Sequence, residues 1–261
     1  GLLSINTLGT STASTQTGVI STGAGGLEKK GAGTLTLSQS NVYTGATTVS
    51  DGVLKVSKAD ALPTGSNLVV NGGTLEIANV TLNTMTSFSL QGNGVGSLGA
   101  LVGSGTAARY DGPINLAANA RVGAATGGVL TLNGVIGGAA AQLEKVGPGT
   151  VVLGGSNTFG GGTQISDGTL SVTNPAALKA GTNLVVFGGT LKIDNVALNT
   201  LSLMSIEGPG ADPAGTLIGA GSGASYLGPI TLSADASVGA LSGGVLTLNG
   251  IISGAAAALT K

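Results

Sequence analysis

Gly127-Gly128-Val129-Leu130-Thr131-Leu132-Asn133-Gly134 returns letter for letter at Gly243 to Gly250, 116 residues further on. Around it the same offset holds throughout. Leu27-Glu28-Lys29 recurs as Leu143-Glu144-Lys145, Ser50-Asp51-Gly52 as Ser166-Asp167-Gly168, and Asn67 to Val70 as Asn183 to Val186. Tyr110 and Gly112-Pro113-Ile114 recur as Tyr226 and Gly228-Pro229-Ile230. No gap is needed from residue 18 to residue 261. An internal repeat is the first feature to establish, because it decides the architecture. The repeat divides the chain into a non-repeat or edge segment over 1–17, one unit over 18–133, a second over 134–249, and the truncated start of a third over 250–261.

Each unit carries a shorter beat. Thr34-Leu35-Thr36-Leu37, Val53-Leu54-Lys55-Val56, Thr74-Leu75-Glu76-Ile77 and Val129-Leu130-Thr131-Leu132 alternate apolar with other residues. That period of two marks half-buried strands. The separators, Asp51-Gly52 and Asn71-Gly72-Gly73, are residues that accept the backbone angles of turns. Many short strands fit a sandwich, a propeller or a β-helix, and an in-register repeat selects the stacked architecture, in which a whole number of coils is duplicated. With coils of about 19 to 23 residues, a unit holds about five or six and the chain about 11 to 13. At about 4.8 Å per coil the rod is roughly 50 to 60 Å long.

Composition agrees. Gly makes up 49 of 261 residues, aromatics 2% and charged residues 8%. The apolar residues are mostly Leu, Val, Ile and Ala, which suit a narrow core repeated layer upon layer. A hydrophobic share of 41% and a net charge of −1 are the reverse of the disordered signature. The longest basic run, Lys29-Lys30, is too short to track phosphates, so no nucleic-acid partner is expected. No stretch of about 18 apolar residues spans a membrane, and the first residues do not form a signal peptide. With no Cys and no His, disulfides, thiolate sites and the commonest general base and metal ligand are all absent.

Gly31-Ala32-Gly33-Thr34-Leu35, followed by Asn41-Val42-Tyr43-Thr44-Gly45 and then Gly52-Val53-Leu54, resembles the passenger-associated transport repeat of bacterial autotransporters, also called the autotransporter-associated β-strand repeat. The second copy is nearer the pattern: Gly147-Pro148-Gly149-Thr150, Leu153-Gly154-Gly155, Asn157-Thr158-Phe159-Gly160-Gly161 and Asp167-Gly168-Thr169-Leu170. The first copy departs at Gln39-Ser40, where a Gly is usual. The resemblance implies a right-handed parallel β-helix (an all-β solenoid) exported to the cell surface. It implies no activity, because such repeats serve as stalk and folding scaffold.

No constellation of chemical groups emerges. Glycosidic cleavage needs paired carboxylates, but Glu207 and Asp212, the nearest pair, face Gln91 and Gly96 in the other copy. Only Glu28/Glu144 and Asp51/Asp167 recur; Asp51 reads as a turn residue, and Glu28-Lys29 and Glu144-Lys145 as a solvated edge. Gly23 to Leu27 lacks the Asp of a calcium-binding nonapeptide. Gly92 to Gly96 and Gly219 to Gly223 lack the Lys-Ser/Thr tail of a phosphate loop. The Thr34/Thr36 pair becomes Thr150/Val152, which breaks an ice-binding row. Tyr43/Phe159 and Tyr110/Tyr226 are corner rings, read as packing with a carbohydrate platform as the alternative. No catalytic, cofactor-binding or metal-binding residue and no cofactor is assigned. The function expected is a structural rod of a secreted or surface protein, a stalk, scaffold or fibre segment. An adhesin or carbohydrate binder is the alternative, and a polysaccharide-active enzyme ranks last. The partners expected are copies of the chain end to end, neighbouring repeats, or a host or surface glycan.

Overall fold

The computed structural model describes residues 1–9 and 13–261. Among the described residues there are 29 strands and no helix, and every pairing between named strands is parallel. The chain is a β-solenoid of about 12 turns. With parallel strands spaced about 4.8 Å apart, it is a rod of roughly 50 to 60 Å.

Alternation places the core. The strand Thr34–Leu37 buries Leu35 and Leu37 and leaves its threonines half-buried, and Val53–Val56 does the same with Leu54 and Val56. Each inward Leu, Val or Ile lies over its partner in the next coil: Leu35 over Leu54, Leu54 over Leu75. The core is one continuous column of such layers.

Three stacks of strands form its walls. The first runs Leu3, Leu27, Thr47, Leu68 and Phe88, and on through Ile114 to Ile136. The second runs Ser14, Leu35, Leu54, Leu75, Leu101, Val122. The third runs Leu82, Tyr110, Leu132, Leu153, Val172, Ile193. Equivalent residues of the two units do not share a stack. Leu27 stands on the first, but its counterpart Leu143 belongs to the strand whose Lys145 pairs with Val122, on the second. Leu35 stands on the second, and its counterpart Val151 pairs with Leu130 on the third. The first stack meanwhile continues from Ile136 through Thr158, and Asn199 pairs with Pro175 beside Leu198, the counterpart of Leu82. The unit is therefore five coils plus one face, not the whole number of coils that duplication suggested. The second unit is turned by one face about the rod axis.

The opening segment pairs with the first unit. Residues 1–17 fall outside the sequence register, yet Leu3–Asn6 pairs with Leu27–Lys30 and Ala13–Thr15 with Thr34–Thr36. The second pairing repeats the register of Val129 to Thr131 on Thr150 to Val152. This segment is a coil of the same rod whose side chains have drifted. Residues 10–12 lie outside the described part.

One irregularity recurs and shapes the surface. Leu90 pairs with Leu116 but Gly92 with Ala120, and Ile206 with Leu232 but Gly208 with Ala236. Residues 117–119 and 233–235 are bulged out of the ladder and stand proud of the wall at a corner.

Candidate functional site

The residues that recur most faithfully are consumed by the fold. Lys29 and Lys145 are completely buried, which corrects their reading as a solvated edge. The strand Leu27–Lys30 alternates, and Lys29 shares the inward parity of Leu27. Its ammonium donates to the carbonyls of Lys30 and Gly31 in its own turn and to that of Asp51 one coil on, at 2.9, 2.5 and 3.1 Å. Lys145 repeats this with Val146, Gly147 and Asp167 at 3.0, 2.7 and 2.8 Å. A buried charge persists only when compensated in this way. Burial pushes the Lys145 ammonium down to about 8, and lowers that of Lys29, where the charge of Asp51 partly opposes the shift. Asp51 and Asp167 accept from the amides of Gly52 and Gly168 at 2.7 Å, the turn role expected of them. Gly168 has φ of +60°, and a Cβ there would lie 2.4 Å from the Gly147 oxygen and 2.8 Å from the Lys145 ammonium. Only Gly fits.

Glu28 and Glu144 point outward and accept from Ser50 and Ser166 at 3.0 and 2.7 Å. The hydrogen-bonded ammonium of Lys30 holds the Glu28 carboxyl below its usual range. Glu144 is bound to Arg121 at 2.7 Å. The recurring Leu-Glu-Lys and Ser-Asp-Gly strings are thus the two halves of a clamp between successive coils.

The asparagines of the motif were missed by sequence reasoning. Asn157 is buried, accepts from Ile136 N at 2.8 Å and donates to Ala177 O at 2.7 Å, bridging the coil before it and the coil after it. Asn41 does the same with Ile20 and Ala61. The signal available was its recurrence in an apolar context.

All four recurring rings are fully buried, so none is a carbohydrate platform. Tyr43 bonds Thr47 at 2.6 Å, and burial raises its hydroxyl to about 12. Phe159 fills the equivalent space without the hydroxyl. Tyr110 and Tyr226 accept from the amides of Met85 and Leu201, and Phe88 packs edge-on against Tyr110 with ring centroids 5.4 Å apart.

The two carboxylates nearest in sequence have separate surroundings. Asp212 is held within its own loop by the amide of Ala214, while Glu207 stands on the outer face of Leu203–Gly208. The closest sequence pair is not brought together. Among the described residues no group of three or more metal-ligating side chains occurs, and no helix is long and apolar enough to cross a membrane.

The outer wall is where the two units part. In the first, Ser87 donates to Asn67 at 2.9 Å and Gln91 to Asn71 at 2.6 Å, a closed ladder of polar side chains. In the second the same positions hold Leu203 with Asn183 and Glu207 with Phe187. Neither hydrogen bond can form. Phe187 is 57% exposed, and Val185 and Leu203 are exposed beside it.

The model of the passenger-associated transport repeat matches residues 27–56 and 143–172. These are the two clamp segments with their buried Lys, Asn and ring. The chain carries two copies of this autotransporter passenger repeat. The adhesin BmaC autotransporter of Brucella suis biovar 1 (strain 1330) is 38% identical over 152 residues, covering 54% of this chain and 4% of that protein. The chain therefore spans a small fraction of its relative's length. No solved structure matches. Passengers of this kind are exported to the cell surface, which is the location of this passenger-repeat rod.

Proposed function

We propose that this segment is a non-enzymatic spacer rod, a stalk that holds other parts of a surface passenger away from the cell. One observation carries this: the recurring polar residues, Lys29/Lys145, Asn41/Asn157 and Asp51/Asp167, are spent on bonds within and between coils. A structure invested in stacking extends; it does not need to react. Each coil pairs with the one before and the one after it, so neighbouring repeats or copies of the chain are the partners proposed for the rod. Negative-stain electron microscopy across a concentration series tests the reading. Single rods of roughly 50 to 60 Å, or filaments of one width built from them, support it. Compact particles refute it.

An adhesive role is the second reading. It is favoured by the name of the Brucella relative and by the exposed Phe187 face of the second unit.

A further inference from the structure

The bulged corner forms a groove in each unit, and the two are equivalent position by position at the 116-residue offset. The first, about 560 Å³, is lined by alanines with Gln91 and Asn119 on its polar side. The second, about 510 Å³, has Glu207, Ser233 and Asp235 at the positions of Gln91, Ala117 and Asn119. Both volumes fall within the range of about 300 to 1,000 Å³ typical of small-ligand sites.

Their rims differ in what is left unspent. In the first unit Gln91 is bound to Asn71, and Asn119 accepts from the Gln142 amide. In the second, Phe187 replaces Asn71 and offers no hydrogen bond to Glu207, its partner in register. Glu207 has no hydrogen-bond partner among the described residues. Asp235 keeps the backbone bond, to Ala258 N at 2.7 Å, through one oxygen and has the other to offer. Phe187 is the one exposed ring among the described residues, 57% accessible, and it stands beside the groove, one coil before Glu207 on the same outer face.

We propose that the corner groove of the second unit is a binding site for a neutral oligosaccharide. The chemistry fits that class. A ring face stacks on the C–H face of a pyranose, as aromatic side chains do in mixed apolar and polar sites. Free carboxylate oxygens accept from sugar hydroxyls, and the Ser233 hydroxyl, already bonded to that of Ser205, keeps one further lone pair to accept with. Two carboxylates without a facing cation disfavour sialylated or uronic chains. The inference goes beyond the spacer reading, and either can stand without the other.

The test uses the 261-residue chain. Lacto-N-tetraose, chitotetraose and maltotetraose are titrated by calorimetry, with 3′-sialyllactose as the anionic control. The variants restore the first unit's own residues, Phe187→Asn and Glu207→Gln, so the wall is known to tolerate them. Gln91→Ala alters the first groove only. At least one neutral probe is expected to bind more tightly than about 1 mM. Phe187→Asn should weaken it roughly 2- to 10-fold, the worth of an aromatic contact. The double variant should show none, and Gln91→Ala should be unchanged. Failure of all three neutral probes, equal binding by the Phe187 variant, or preference for the sialylated probe overturns the proposal. Rod length in the same preparations, read by electron microscopy, reports on the spacer reading separately.

Discussion

The two buried ammoniums make stability depend on alkaline pH in a direction opposite to that of most proteins. Lys145 titrates near 8 in the fold against a usual value of 10.5. The folded chain thus releases this proton before the unfolded chain does. Between these values the unfolded state binds more protons, so stability rises with pH. That displacement corresponds to about 3 kcal/mol at roughly 1.4 kcal/mol per pH unit. Most of it, about 2 kcal/mol or more, accrues between pH 7 and pH 10. Lys29 adds in the same direction. Above pH 10 the buried tyrosines oppose it. Tyr43 is raised to about 12, and Tyr110 and Tyr226 are raised as well. Their unfolded forms ionise first, so stability falls again. A maximum near pH 10 follows. The assay is urea unfolding followed by far-ultraviolet circular dichroism at pH 7, 8, 9 and 10, on the natural chain and on Lys145→Met, Lys29→Met and their double variant. Met keeps the apolar stem and removes the titration. The natural chain should gain about 2 kcal/mol or more by pH 10, each single variant should lose part of that gain, and the double variant should be flat. A natural chain whose stability is level or falling over this range, or a double variant that still gains, would refute the burial of these charges.

Other positions give sharp outcomes. Gly168→Ala places a methyl against the Gly147 carbonyl and forces a positive φ on a side-chain-bearing residue; a loss of about 2 kcal/mol or more is expected in the same unfolding assay. Asn157→Ala strips two buried coil-to-coil hydrogen bonds, for about 2 to 4 kcal/mol, and should show first as faster amide exchange at Ile136. Tyr226→Phe removes only long contacts of 3.4 and 3.5 Å, so its melting temperature should shift by less than that of Asn157→Ala. Phe159→Tyr supplies the hydroxyl that the first unit carries beside Thr47. With Thr163 at the equivalent place, the variant should match or exceed the natural chain by up to about 1 kcal/mol.

The period-two strings read directly as strands, and Leu35, Leu54 and Leu75 stack in the structure as their alternation implies. Lys29 was legible by the same parity, since it stands two residues from the buried Leu27; the habit of giving every lysine to solvent hid it. Phe187 follows the outward parity of Asn183 and Val185, so its exposure was also available. The turn of the second unit by one face was not. It arises where the loop over residues 93–100 and the bulge at 117–119 lengthen the coils and bend one 11-residue strand, Ile114–Ala124, across two walls. Coil length at corners is set by tertiary packing, and a repeat offset alone does not report it. The groove was hidden for the same reason, because it exists only where that bulge stands away from the wall.

The one-face advance governs what a longer array of such units can touch. Each unit climbs about 25 Å and presents its markings on the next wall, so a given patch returns to the same compass bearing only after three units, about 75 Å along the axis. A partner arriving from any side meets a copy without the rod having to rotate. A flat surface lying alongside engages only every third copy. Multivalent attachment would then reward receptors spaced at that interval and penalise denser ones, so the pitch of the rod acts as a ruler.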